Sequence, residues 1–329
     1  MKTSRSAWLM LAVIFVVLLS SSCSRQPQGE NANHAHSRIG IVYIGPHELI
    51  NQIVSGFRAG IAQQLPAGSY DIVERHANGD QTQISATLNG AIASKLDVLA
   101  TITTPVSQQA MKDAPKGLPV VFVGVTDPVG AGLVKSMEKP ELTTGVSDVA
   151  PLQAVMGMIK QITPTVRRIG FPYSPDEQPA VYSRTVVERL APTMGYSIDA
   201  RPVTSKDEVA TIVRDMARTD DAILVGADNA MFEAAPLIAK TALDGHKPFY
   251  AADSSSVKAG AVAGVTVDYT QIGRAGADMV VRVLKGERAG AIPVQTMTQG
   301  NLEVNQTSLR KLGITLPPAV AAQVKVTYQ

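Results

Sequence analysis

The chain has 329 residues, enough for two domains of ordinary size, and its apolar content is that of a globular protein. Charged residues make up 18% of it and nearly balance, with a formal net charge of +2, which excludes the concentrated basic face of a nucleic-acid binder. The single cysteine, Cys23, excludes an internal disulfide and a cysteine-based zinc site; neither a metal nor a cofactor is expected, His34 and His36 lying in a polar tail.

Residues 1–23 read as an export signal. Lys2 and Arg5 give a positive start, and Ala7 to Leu19 form an apolar core too short to span a bilayer comfortably. Ser20, Ser21 and Ser22 then precede Cys23 directly. The arrangement resembles a bacterial lipoprotein signal, in which the cysteine is lipidated and becomes the mature N-terminus. Residues 24–37 are polar, lack an apolar period and read as a flexible tether.

From Arg38 apolar strands alternate with amphipathic helices. Ile39–Ile44 is the first strand, and the loop Gly45-Pro46-His47-Glu48 leads into a helix reaching about Gln64. Tyr70–Glu74 is the second strand, after which Asp80 with Gln83 forms a capping box for a helix to Lys95. Val98–Ile102 ends in Thr103-Thr104-Pro105, with Thr104 expected as N-cap and Pro105 as first helical residue. Val120–Gly124 is a purely apolar run, as in a strand buried on both faces, and breaks at once into Thr126-Asp127-Pro128. Thr144–Val146 is a short fifth strand.

A second series follows. Pro151 opens a helix to about Ile162, and Arg168–Phe171 is a strand ending in a loop with Tyr173 and Glu177. A helix runs to Met194, Ser197–Arg201 is a strand, and Ser205 with Glu208 forms a second capping box. Ala222–Val225 ends in Asp228-Asn229, Pro248–Ala251 ends in Asp253-Ser254, and Val262–Val267 leads to a helix from about Thr270 to Leu284. Gln299–Val304 is a further strand, and a short helix ends near Gly313. Strict alternation predicts an α/β protein with doubly wound parallel sheets, and two successive runs predict two similar lobes with a first crossing near Ala150.

The polar residues collect at the carboxyl ends of these strands, where open α/β sheets bind ligands. They are His47, Thr103, Thr104, Thr126, Asp127, Tyr173, Glu177, Asp228, Asn229 and Asp253. Each has a structural reading as well: Asp127 before Pro128 is a common turn starter, and Asp228-Asn229 at a strand–helix junction is a cap signal. Their shared location favours binding. No G-x-S-x-G elbow, P-loop, H-E-x-x-H or dinucleotide fingerprint is present, so no enzyme is expected.

Phe122–Val134 (FVGVTDPVGAGLV), Thr144-Gly-Val-Ser-Asp148, Asp228-Asn229, Asp253–Gly260 and Gly273-Arg274 resemble the ABC transporter substrate-binding lipoproteins of the tryptophan/tyrosine-binding type. The resemblance runs from Arg38 to about Pro318. It implies the type I periplasmic binding protein fold, two lobes joined by a three-crossover hinge that close on a small ligand. Residues 38–150 and about 268–292 would form lobe one, and 151–267 and about 293–329 lobe two. It implies a monomeric receptor, anchored at the membrane through Cys23, that passes an amino-acid-like ligand to an inner-membrane ABC permease. The alternative is a periplasmic sensor of the same fold that signals to a membrane kinase. Within the ten loop residues a zwitterion is expected. Thr103, Thr104 and backbone N–H groups would take its carboxylate, one of Asp127, Asp228 or Asp253 its ammonium (Asp228 first), and Tyr173 with His47 its side chain.

Overall fold

β-Branched and other apolar runs form the strands, and the helices between them bury one face each. The computed structural model describes residues 36–297 and 300–329; the export signal, Cys23 and nearly all of the tether lie outside the described residues. His36–Gln329 forms one compact unit.

The first run comprises β1 (Ser37–Tyr43), α1 (Glu48–Gln64), β2 (Tyr70–His76), α2 (Ile84–Ile92), β3 (Val98–Ile102), α3 (Thr104–Asp113), β4 (Val120–Val123) and β5 (Thr144–Ser147). The second comprises α4 (Leu152–Ile162), β6 (Arg168–Tyr173), α5 (Gln178–Met194), β7 (Ser197–Pro202), α6 (Val209–Thr219) and β8 (Ala222–Val225). It continues with α7 (Asn229–Glu233), α8 (Ala235–Asp244), β9 (Phe249–Ala251), α9 (Ser254–Ala259) and β10 (Ala263–Thr266). The remainder is α10 (Tyr269–Leu284), β11 (Gln295–Thr296), β12 (Asn301–Asn305), α11 (Gln306–Lys311), α12 (Pro318–Ala321) and β13 (Val324–Tyr328).

Two sheets result, six-stranded in the order β11-β5-β4-β3-β1-β2 and seven-stranded in the order β13-β12-β10-β9-β8-β6-β7. Every pairing except β10 with β12 is parallel. The chain therefore passes between sheets after β5, after β10 and after β11. Because β11 pairs with β5, the last passage comes after Thr296 rather than near Ile292.

After its return, α10 packs on α1 so closely that side chains are excluded. A β-carbon at Gly56 would stand 2.1 Å from the Thr270 carbonyl oxygen, and one at Gly273 2.0 Å from that of Ile53. This contact ties the returning helix to the first core, which holds Ile41, Phe57, Leu99 and Val280. The second sheet has separate apolar layers on its two faces, with Phe171 and Leu224 in one and Val213 and Ile238 in the other.

Local capping departs from the sequence expectation. Thr103, not Thr104, is the N-cap of α3, and it makes no side-chain cap bond. Asp80 caps a single 3₁₀ turn by accepting from Thr82 N. Ser205 makes no cap bond, and Glu208 instead accepts from Thr204 N and Oγ1.

Candidate functional site

The parallel order brings the strand ends of the two lobes face to face. A cavity of about 20 Å³ between them is lined by Leu49 and Ile53 of α1, Thr103 and Thr104 after β3, Gly124 and Thr126 after β4, and Asp148 after β5. Pro179, Ala227, Asp228, Asn229 and Phe232 line it from the second lobe. Of the ten residues expected from sequence, Thr103, Thr104, Thr126, Asp228 and Asn229 are thus brought together. His47, Asp127, Tyr173, Glu177 and Asp253 do not line the cavity.

On the first lobe, Thr103 has φ +79° and ψ 156°. A β-branched residue rarely adopts such a backbone, and one held there marks a position over-determined by its surroundings. Ser107 supplies the hold, since its N and Oγ both donate to Thr103 O. The Thr103 Oγ1 is buried and has no partner among the described residues. It stands where α3 leaves its first N–H groups unpaired, a favourable place for a carboxylate.

Asp148 was not among the residues expected from sequence. Thr126 Oγ1 donates to its Oδ1 at 3.1 Å. Its Oδ2 accepts no hydrogen bond within the described residues and would lie 3.6 Å from a β-carbon at Gly124. Desolvation raises its carboxyl to about 6, against the Thr126 bond that lowers it. A signal for it existed in the sequence, an acid directly after the short strand Thr144–Ser147.

On the second lobe, Asp228 is fully committed. Its Oδ1 accepts from Ser174 Oγ and Met231 N, at 2.9 and 3.1 Å, and its Oδ2 from Ser174 N at 2.7 Å. It clamps the β6 loop to the start of α7. Burial raises its carboxyl, opposed by these bonds. Glu177 accepts from Asn229 N and Nδ2, and burial followed by the charge of Asp228 pushes it up to about 7. Asp253 caps α9 through Oδ1, which accepts from Ser256 N and Ser255 Oγ. Its Oδ2 is buried and has no partner among the described residues, and burial raises this carboxyl also.

Among the described residues three polar contacts cross the cleft. Gln81 Nε2 donates to Glu177 Oε1 at 3.4 Å, Gln178 Nε2 to Asp127 Oδ2 at 3.3 Å, and Lys258 Nζ to Glu48 Oε1 at 3.1 Å. Asp127 Oδ1 meanwhile accepts from Gly130 N, so the residue is turn starter and lobe contact together. His47 precedes α1 with Nε2 buried and without a partner among the described residues, and its pKa is lowered by burial against the opposing charge of Glu233. Tyr173 packs on the second lobe's core and carries the Arg184 guanidinium 5.3 Å above its ring.

The cavity thus offers carboxylates, hydroxyls and a helix N-terminus beside apolar groups, and no lysine, arginine or histidine lines it. Among the described residues no cluster of His, Cys, Asp or Glu is placed to hold a metal, and no helix is long and apolar enough to cross a membrane.

Residues 38–327 match the family described as ABC transporter substrate binding protein. The chain belongs to that family. Among its relatives, a tyrosine-binding protein of Clostridioides difficile is 28% identical, the match covering 94% of this chain and 93% of the relative. Among solved structures, the ABC domain of Streptococcus pneumoniae in complex with L-Trp superposes with a TM-score of 0.86 at 31% identity, over 89% of this chain and 99% of that one. The ligand-free, open structure of a substrate-binding protein with adhesive properties from Clostridium difficile gives 0.70 at 26% identity, over the same shares. The family is one of solute-binding proteins.

Proposed function

We propose that this substrate-binding protein captures an amino acid with a large, aromatic side chain between its lobes and delivers it to an ABC import permease. The observation that carries the reading is the pair of uncommitted polar groups in the cleft. Among the described residues Asp148 Oδ2 is an acceptor without a donor, and Thr103 Oγ1 with the start of α3 is a donor set without an acceptor. An ammonium and a carboxylate on one carbon satisfy both. A cleft lined by acids and lacking cations repels a purely anionic ligand and suits a zwitterion. The ammonium partner in this reading is Asp148, because Asp228 has both oxygens engaged, Asp127 is held by Gly130 and Gln178, and Asp253 lies off the cavity. Leu49 and Ile53 of α1 form the apolar side of the cleft and take over the role expected of Tyr173 and His47.

The tyrosine-binding relative and the L-Trp complex support the ligand class. Export and lipid anchoring through Cys23 belong to the same proposal. Mass spectrometry of small molecules released on denaturing the freshly purified protein tests it. Release of tyrosine, tryptophan or another large neutral amino acid is expected; a sugar or a purely anionic metabolite would refute the reading.

A further inference from the structure

The cleft cavity, at about 20 Å³, has room for a single water. An aromatic ring needs on the order of 150 Å³. The lobes nevertheless already touch through three polar contacts across the cleft, which leaves little free space between them. Phe232 projects from the short helix α7 of the second lobe, lines the cavity, and packs against the apolar core of its own lobe and against that of the first. Its position is fixed from below, because Asp228 and Glu177 clamp the start of α7. Its neighbour Glu233 pairs with Lys206 at 2.6 Å and stands 3.2 Å from where a β-carbon of Gly79, in the first lobe, would lie. Residues 232 and 233 thus form a tooth that engages the opposite lobe.

We propose that Phe232 is a ligand-displaceable plug that sets which side chains the cleft accepts, an inference that rests on the amino-acid reading above. In the self-closed chain its ring occupies the space that the ligand's side chain takes when bound. A large side chain enters only when the ring withdraws, whereas a methyl group needs far less of that space. Apparent affinity for a large ligand is then lowered in proportion to the time the cleft spends plugged. Shortening Phe232 removes the competitor. A ring that served as a stacking wall would give the opposite sign, since its loss would weaken binding.

Calorimetric titration of the wild type, Phe232→Leu and Phe232→Ala with L-tryptophan and L-alanine separates the two, alongside small-angle scattering of the same proteins without added ligand. Phe232→Ala is expected to bind L-tryptophan at least about fivefold more tightly, with a smaller gain for L-alanine, and to show a larger radius of gyration than wild type. Phe232→Leu is expected to fall between. Weaker or unchanged binding of L-tryptophan by both variants would overturn the plug. If the wild type binds neither amino acid, the ligand class fails, and scattering alone decides the plug: equal radii for wild type and Phe232→Ala would overturn it.

Discussion

Five buried or half-buried acids, Asp127, Asp148, Glu177, Asp228 and Asp253, belong to the strand-end loops that face the cleft, and their hydrogen bonds divide them by role. Asp228 is a structural clamp, so Asp228→Ala is expected to cost about 2–4 kcal/mol of stability, from a lost cap and stranded Ser174 donors. Asp148→Asn should leave the ligand-free melting temperature unchanged or raised, because it removes a desolvated carboxyl with one engaged oxygen. Binding of L-tyrosine by that variant should weaken by about 2–5 kcal/mol, roughly 30- to several-thousand-fold. Thermal melts and calorimetry on both variants check the division.

The pH dependence follows with opposite signs for folding and binding. Asp148 and Glu177 titrate at about 6 and about 7 in the fold, above their ordinary values, because burial disfavours the charged forms. Their contribution to stability is present at acid pH and is lost as pH rises through 6 and 7. The ligand-free protein should therefore melt higher near pH 5.5 than near pH 8. Affinity for a zwitterion should instead fall below about pH 6, as Asp148 takes up a proton. Calorimetry across that range reads the crossing. The sequence placed Thr103, Thr104, Thr126, Asp228 and Asn229 at the cleft through strand ends alone. It could not rank the acids, because the bonds that engage Asp228 come from Ser174, far away in the chain.

At the scale of elements, α1 and α10 carry the lobe's integrity through backbone contact. Gly56→Ala forces a β-carbon against the Thr270 carbonyl. The expected loss is about 1–3 kcal/mol, a fall in melting temperature of roughly 2–10 °C, with ligand affinity little changed where the variant is folded. Retained stability would show that α10 can shift on α1. The buried strands were legible because runs such as Val120–Val123 are apolar at every position. β11 and β13 were not. Gln295 and Thr296 are exposed, and Val324–Tyr328 alternates weakly at a sheet edge, so tertiary pairing and not local pattern makes them strands. Both expected capping boxes open 3₁₀ turns, a choice decided by neighbouring groups such as Thr204.

At the scale of the molecule, the two-lobed plan was visible in the alternation, but the three passages between lobes were not visible in composition or period. They came from the family resemblance, and the pairing of β11 with β5 fixes the last of them. Closure draws little from the rim. The Lys258–Glu48 pair is about half exposed on both sides, and such pairs contribute about 0–1 kcal/mol. In the proposed reading, the groups that gain most when the lobes meet on a ligand are Asp148 and the Thr103 hydroxyl with the start of α3. Calorimetric titration with L-tyrosine, L-tryptophan, tryptamine and 3-phenylpropionate therefore tests the cleft most directly. At least one of the two amino acids should bind at micromolar or tighter dissociation constants, about −8 kcal/mol or stronger, and the analogues lacking a carboxylate or an ammonium should bind at least about 30-fold more weakly. Equal binding of an amino acid and either analogue, or binding of neither amino acid, would contradict a zwitterion site in this cleft.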